Sequence, residues 1–104
     1  MLVNVDAVFK NLKGDTLKDT DADGKAIDAT LKEAIVNAVL SPGQDESGKQ
    51  KVECYEIARR VFAGGNVELS AEDIVLIKNK VGKVYPPLIV GQAYALLEGK
   101  AEKG

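Results

Sequence analysis

A chain of 104 residues with 14 basic and 16 acidic side chains carries a net charge of -2. That is the size of one domain, with no general attraction to nucleic-acid phosphates or anionic lipid. Histidine is absent and cysteine occurs once, which excludes an internal disulfide, paired-cysteine zinc sites, Ser-His and Cys-His nucleophiles and an imidazole base. No run approaches the roughly 18 apolar residues of a membrane helix. Met1-Leu2-Val3-Asn4-Val5-Asp6 lacks the basic-then-apolar order of a secretion signal, so an unprocessed intracellular protein is expected.

In chain order, Leu2 to Phe9 alternates, with Val3, Val5 and Ala7 on one side, and predicts a short strand. Gly14-Asp15 is a turn, Thr16-Leu17-Lys18 a second extended piece and Ala26-Ile27 a third. Residues 2–28 therefore read as one or two small hairpins.

Within them, "DTDADGK" at residues 19–25 begins like a calcium loop, with Asp19, Asp21 and Asp23 at positions 1, 3 and 5 and Gly24 at 6. The closing bidentate glutamate is missing: position 12 is Thr30, position 8 is Ala26, and Glu33 comes three residues late. Gly14-Asp15-Thr16 also cannot be the last turns of an entering helix. Asp-Gly is a common hairpin corner, because glycine takes positive φ and aspartate bonds neighbouring amides. A turn with its corner at Asp23-Gly24 is the preferred reading. Loose binding of a cation by Asp19, Asp21 and Asp23 stays open, since five aspartates face two lysines between Asp15 and Asp28.

Thr30 and Glu33 have the spacing of a capping box, and Leu31, Ala34, Ile35, Ala38 and Val39 follow as one apolar helical stripe. Ser41-Pro42-Gly43 ends that helix, and Gln44 to Gly48 reads as a surface loop. A second helix over Lys49 to Ala63 turns Cys54, Ile57, Ala58, Val61 and Phe62 inward and stops at Gly64-Gly65. Ser70 with Asp73 starts a third, with Ile74, Ile77, Val81 and Val84 on one face. Pro86-Pro87 ends it and opens a fourth over Pro87 to Glu98, apolar around most of its circumference and so expected in a central or interface position. The expected fold is mainly α: a compact four-helix domain with a small N-terminal β-hairpin element. Residues 1–98 form one domain (hairpin element 2–28, helical part 30–98) and 99–104 a flexible tail.

Candidate chemistry is sparse. Lys78, Lys80 and Lys83 with Arg59 and Arg60 form the one basic concentration. A solvated outer face is preferred to a phosphate-binding patch, because no aromatics are interleaved and Lys78 and Lys80 point about 200° apart. Cys54 reads as a packed small hydrophobe, and Tyr55, Tyr85 and Tyr94 as fillers of core or interface. Gly64-Gly65 and Val81-Gly82-Lys83 lack the spacing of a phosphate loop, and Ser41, Ser47 and Ser70 have no base beside them. No catalytic residue and no cofactor is expected.

The stretch "ELSAEDIVLIKNKVGKVYPPLIVGQAYALLEG", Glu68 to Gly99, together with "NLKGDTLKD", resembles small bacteriophage and prophage proteins of unassigned function. The shared features are a capped helix, a double proline and an apolar last helix, so they bring no site residues. The resemblance implies a cytoplasmic phage accessory protein in an infected or lysogenic bacterium, acting by protein-protein interaction or self-association. A role like that of the tail-assembly chaperones, which hold the tape-measure protein, is one specific form. The expected partner is another protein, phage or host, or a second copy, met through Tyr85 ahead of the double proline and Leu88, Tyr94 and Leu97 of the fourth helix. The alternative is a regulator that binds nucleic acid or a host protein through Arg59, Arg60 and Lys83. No membrane partner is expected.

Overall fold

In the computed structural model, which describes residues 1–20, 22–43 and 46–99, the order is β1 (Leu2–Asn4), β2 (Lys18–Thr20), β3 (Ala26–Asp28), α1 (Leu31–Leu40), α2 (Gly48–Phe62), β4 (Asn66–Glu68), α3 (Ala71–Val84) and α4 (Pro87–Leu97). The expected tail lies outside the described residues from position 100 onward, as do Asp21 and, in the expected loop, Gln44 and Asp45. The mainly helical class and the small β element are as the sequence predicts.

Central to the packing is α1, which contacts both α2 and α3. Its first amides, which no helix can satisfy internally, are met from outside. Leu31 N–H donates to Ala7 O at 2.9 Å, Lys32 N–H to Val5 O at 2.7 Å, and Glu33 N–H to Thr30 Oγ1 at 3.3 Å. The extended N-terminal segment is thus a backbone cap on α1. The same segment drops Val5 and Phe9 into the core beside Leu31 and Ile35, all at most 1 % exposed. Burial of side chains of that size contributes about 1.5–3 kcal/mol each.

The first strand differs from the sequence expectation. β1 does not pair within the first 28 residues; it runs antiparallel to β4, with Leu2, Val3 and Asn4 opposite Glu68, Val67 and Asn66. The buried pair Val3 and Val67 gives this ribbon its core face. The hairpin element proper is β2 against β3, Lys18 to Thr20 opposite Asp28 to Ala26. Ahead of it, the Asn11 carboxamide accepts from the Lys13 and Asp15 amides and closes a small turn at Gly14, whose φ is 95°. Phe9, Leu17 and Ala29 then exchange backbone bonds in a ring: Phe9 to Ala29, Ala29 to Leu17, and Leu17 to Phe9.

The helix starts follow from side-chain caps. Ser47 with Gln50 and Ser70 with Asp73 form complete capping boxes for α2 and α3, whereas α4 starts without a side-chain cap on Pro86-Pro87. The junction of α2 with β4 turns through positive φ at both Gly64 and Gly65, 79° and 75°. There Asp6 accepts from the Gly65 amide at 3.0 Å, tying the junction to the N-terminal segment.

Two expected core residues are not in the core. Phe62 is 67 % exposed and Val84 44 % exposed. At about 100° per residue, Phe62 falls on the edge of the Cys54-Ile57-Ala58-Val61 face, and Val84 sits in the final turn of α3. Nor is α4 central: it packs on α3 and touches β1, with Ala93 and Leu97 buried and the rest of its apolar residues half-buried.

Candidate interaction surface

The aspartate stretch is a turn. Gly24, with φ 83°, lies in the connection between the paired residues Thr20 and Ala26. Asp19 accepts from the Thr20 amide at 2.8 Å, and Lys18 bridges to Asp28 across the hairpin. Asp23 is engaged within the protein, and Asp21 lies outside the described residues. Among the described residues no group of three metal-ligating side chains comes together.

The basic concentration resolves into ion pairs. Arg59 Nη2 lies 2.6 Å from Glu56, Arg60 Nη2 3.2 Å from Asp73, Lys78 Nζ 2.6 Å from Glu98 and Lys80 Nζ 2.8 Å from Glu46. Lys80 is not on a solvated face: it is 6 % exposed and also donates to Ser41 O at 2.9 Å. The hydrogen bond from Lys80 holds the Glu46 carboxyl below its ordinary 4.5, aided by the Gly43 amide against the opposing effect of burial. Burial pushes the Asp73 carboxyl up, but the Ser70 amide, Arg60 and the Ser70 hydroxyl together bring it below its ordinary 3.8. Glu46 also lies 3.9 Å from Cys54 Sγ. Burial pushes the Cys54 thiol up, which keeps it protonated and unreactive.

Glu46 therefore folds in from the segment read as a surface loop and pins it to α3. The sequence carried a signal for this, since Lys80 stands three residues after Ile77 and one before Val81, on the inward face of α3. A lysine there calls for a buried carboxylate.

The four residues expected to bind a partner through α4 are divided. Leu97 is fully buried, so the structure removes it from any surface. Tyr94 is committed internally: its hydroxyl donates to Lys78 O at 2.7 Å and the Lys78 ammonium sits 5.4 Å from its ring centre. Tyr85 is half-buried, with its hydroxyl accepting from the Asn37 carboxamide at 3.3 Å. Leu88 is half-buried. Tyr85 and Ile89 border a pocket of about 190 Å³ closed by Phe9, Leu17, Thr30 and Glu33, large enough for one side chain. A wider groove of about 530 Å³ runs past Arg60, Glu68, Ser70 and Asp73. There Ser70 Oγ accepts from the Asp73 amide and Arg60 is bonded to Asp73, so both polar groups are already occupied by capping and pairing.

Sequence reasoning also missed the glutamine that seats α4. Gln92 accepts from the Lys10 amide at 2.9 Å through Oε1 and donates to Lys10 O at 2.8 Å through Nε2, imitating a strand partner.

Three of the nine large apolar side chains left to solvent among the described residues lie on one face of α2. Val52, Tyr55 and Phe62 are 61 %, 57 % and 67 % exposed. With Arg59 they stand at i, i+3, i+7 and i+10, the spacing of a helix-pairing seam, on a face away from Cys54, Ile57 and Val61. Lys32 of α1 covers one side of Phe62, 5.0 Å from the ring centre. The row Lys32, Val36, Leu40 runs back along α1, and Leu40 at its end is again more than half exposed. The seam is legible in the sequence as a second heptad on the helix, but the hydrophobicity of Phe62 places it with the core stripe.

Comparison of the chain with models of protein families, with curated proteins and with solved structures gives no match in any of the three.

Proposed function

We propose that this is a non-enzymatic interaction protein that works by binding another protein, or itself, through the outer face of α2. The observation that carries the reading is the seam of Val52, Tyr55 and Phe62. Apolar side chains aligned on one helix face and rimmed by polar residues are a mark of an interaction site. The resemblance of Glu68 to Gly99 supports a phage-type accessory protein of the host cytoplasm, with virion or tail assembly as its setting. No described helix is long and apolar enough to cross a membrane. The nucleic-acid alternative finds less support, because Arg59 and Arg60 are engaged by Glu56 and Asp73, which leaves exposed Lys83 as the remaining cation of the three it invoked.

The test places a photo-crosslinking amino acid at Tyr55, and at Glu72 on the exposed first turn of α3 as a control, in chains expressed in a bacterial host carrying the phage. Adducts to a defined protein, this chain included, at position 55 and not at 72 are expected. Equal, sparse labelling from both positions would end the reading.

A further inference from the structure

We infer that the partner of the α2 seam is a second copy of this chain, joined antiparallel about a two-fold axis level with Ile57. The inference rests on the reading of α2 as an interaction face and names its occupant.

The seam is complementary to itself in one direction only. In an antiparallel helix pair each first-position residue of the heptad meets a fourth-position residue of the other copy. With the axis at Ile57, Val52 meets Phe62 and Tyr55 meets Arg59, each pair occurring twice, as an isologous interface requires. Both pairs are favourable: an aliphatic side chain against an aromatic ring, and a guanidinium against the face of a tyrosine. A parallel pair would set Arg59 against Arg59 at the centre of the seam.

Glu56 one turn earlier holds Arg59 through two bonds, from Nε at 3.2 Å and Nη2 at 2.6 Å, which offsets part of the cost of taking the guanidinium out of water. The flat pair of guanidinium and carboxylate leaves a face of Arg59 free to stack on Tyr55 of the second copy. Lys32 covers one side of Phe62 and leaves the other for Val52 of that copy.

The exposed area places the contact at the small end of specific interfaces. Three side chains more than half exposed, with Arg59 61 % exposed beside them, bury on the order of 1,000 Å² over both copies, the lower bound for a specific interface. Interfaces of this size belong to weak, transient association, so the range to search is about 10 μM to 1 mM.

Sedimentation equilibrium across that range is expected to raise the average mass from 11.1 kDa toward twice that value. Phe62→Glu and Arg59→Glu, on exposed positions that leave the core intact, should each hold it at the monomer value with unchanged circular dichroism. The direction is read by mixing Val52→Cys chains with Phe62→Cys chains, both in a Cys54→Ala background, under mild oxidation. Disulfide between the two kinds of chain is expected; crosslinks that join like with like would overturn the antiparallel pairing. A mass that stays at the monomer value up to about 1 mM would overturn self-association altogether. In that case adducts from position 55 to a different protein would still uphold the broader reading, whereas their absence would remove both.

Discussion

Replacing Gly82 with alanine should change sign with the residue at position 94. Gly82 lies inside α3, where glycine-to-alanine ordinarily stabilises by about 0.5–1 kcal/mol through loss of unfolded-state freedom and gain of helix propensity. Here the added Cβ would stand 2.8 Å from Tyr94 Oη, closer than carbon and oxygen tolerate, and 3.9 Å from Cζ, an ordinary contact. Tyr94 must therefore swing aside and give up its 2.7 Å bond to Lys78 O together with its place under the Lys78 ammonium. Loss of a partly buried hydrogen bond costs about 0.5–1.5 kcal/mol, and the displaced ring adds about 1 kcal/mol. Gly82→Ala alone should thus destabilise by about 1 kcal/mol. In Tyr94→Phe the obstructing oxygen is gone, and the same alanine should stabilise by about 0.5–1 kcal/mol. The coupling between the two positions is then near 2 kcal/mol. Urea unfolding of the four proteins, followed by far-ultraviolet circular dichroism, measures it. Effects that add to within about 0.5 kcal/mol, with alanine stabilising in both backgrounds, would refute the reasoning.

Two further outcomes are expected. Gln92→Ala should destabilise by about 1–3 kcal/mol and speed hydrogen exchange at the Lys10 amide, because that amide loses its acceptor and Lys10 O its donor; slow exchange at Lys10 in the variant would contradict the seating of α4. Stability should fall as pH drops through the carboxylate range: Glu46 and Asp73 titrate below their ordinary 4.5 and 3.8, so the unfolded chain takes up protons first. Their contribution is full above about pH 5 and disappears as the pH passes below the folded values, and Glu46→Gln should flatten the slope of melting temperature against pH between pH 5 and 3.

What could be read from residues alone was what is written locally. Thr30, Ser70 and the double proline mark helix boundaries because capping and the proline ring act within four residues. The start of α2 carries such a signal too, since Ser47 and Gln50 have capping-box spacing, but the polar run Gln44 to Gly48 around it masks the boundary. Phe62 shows the limit of a stripe argument: a residue on its edge is assigned by hydrophobicity, while the neighbouring helix decides whether it is covered. The β1–β4 ribbon had no local signal, since nothing in Leu2 to Asn4 names a partner 64 positions away. The residues expected on the α4 surface divide for a related reason. An all-round apolar helix announces burial, but Leu97 and Ala93 use that burial inside the domain, and the exposed seam belongs to a helix with an amphipathic pattern and a charged outer face.

The pairing of β1 with β4 also orders events in time. Val3 leaves the ribosome long before Val67, and at about 5–20 residues per second the first strand waits on the order of 3–13 s for its partner to be made. Residues 5 to 9 can cap α1 in that interval, but the strand ahead of them cannot settle. Closing so long a loop carries an entropic cost that only the finished core repays, so ribbon formation belongs to the last, slowest stage of folding. Until then Leu2, Val3 and Val5 form a short unpaired edge, and it is this nascent strand, more than any part of the native surface, that is open to mispairing between chains crowded on one messenger.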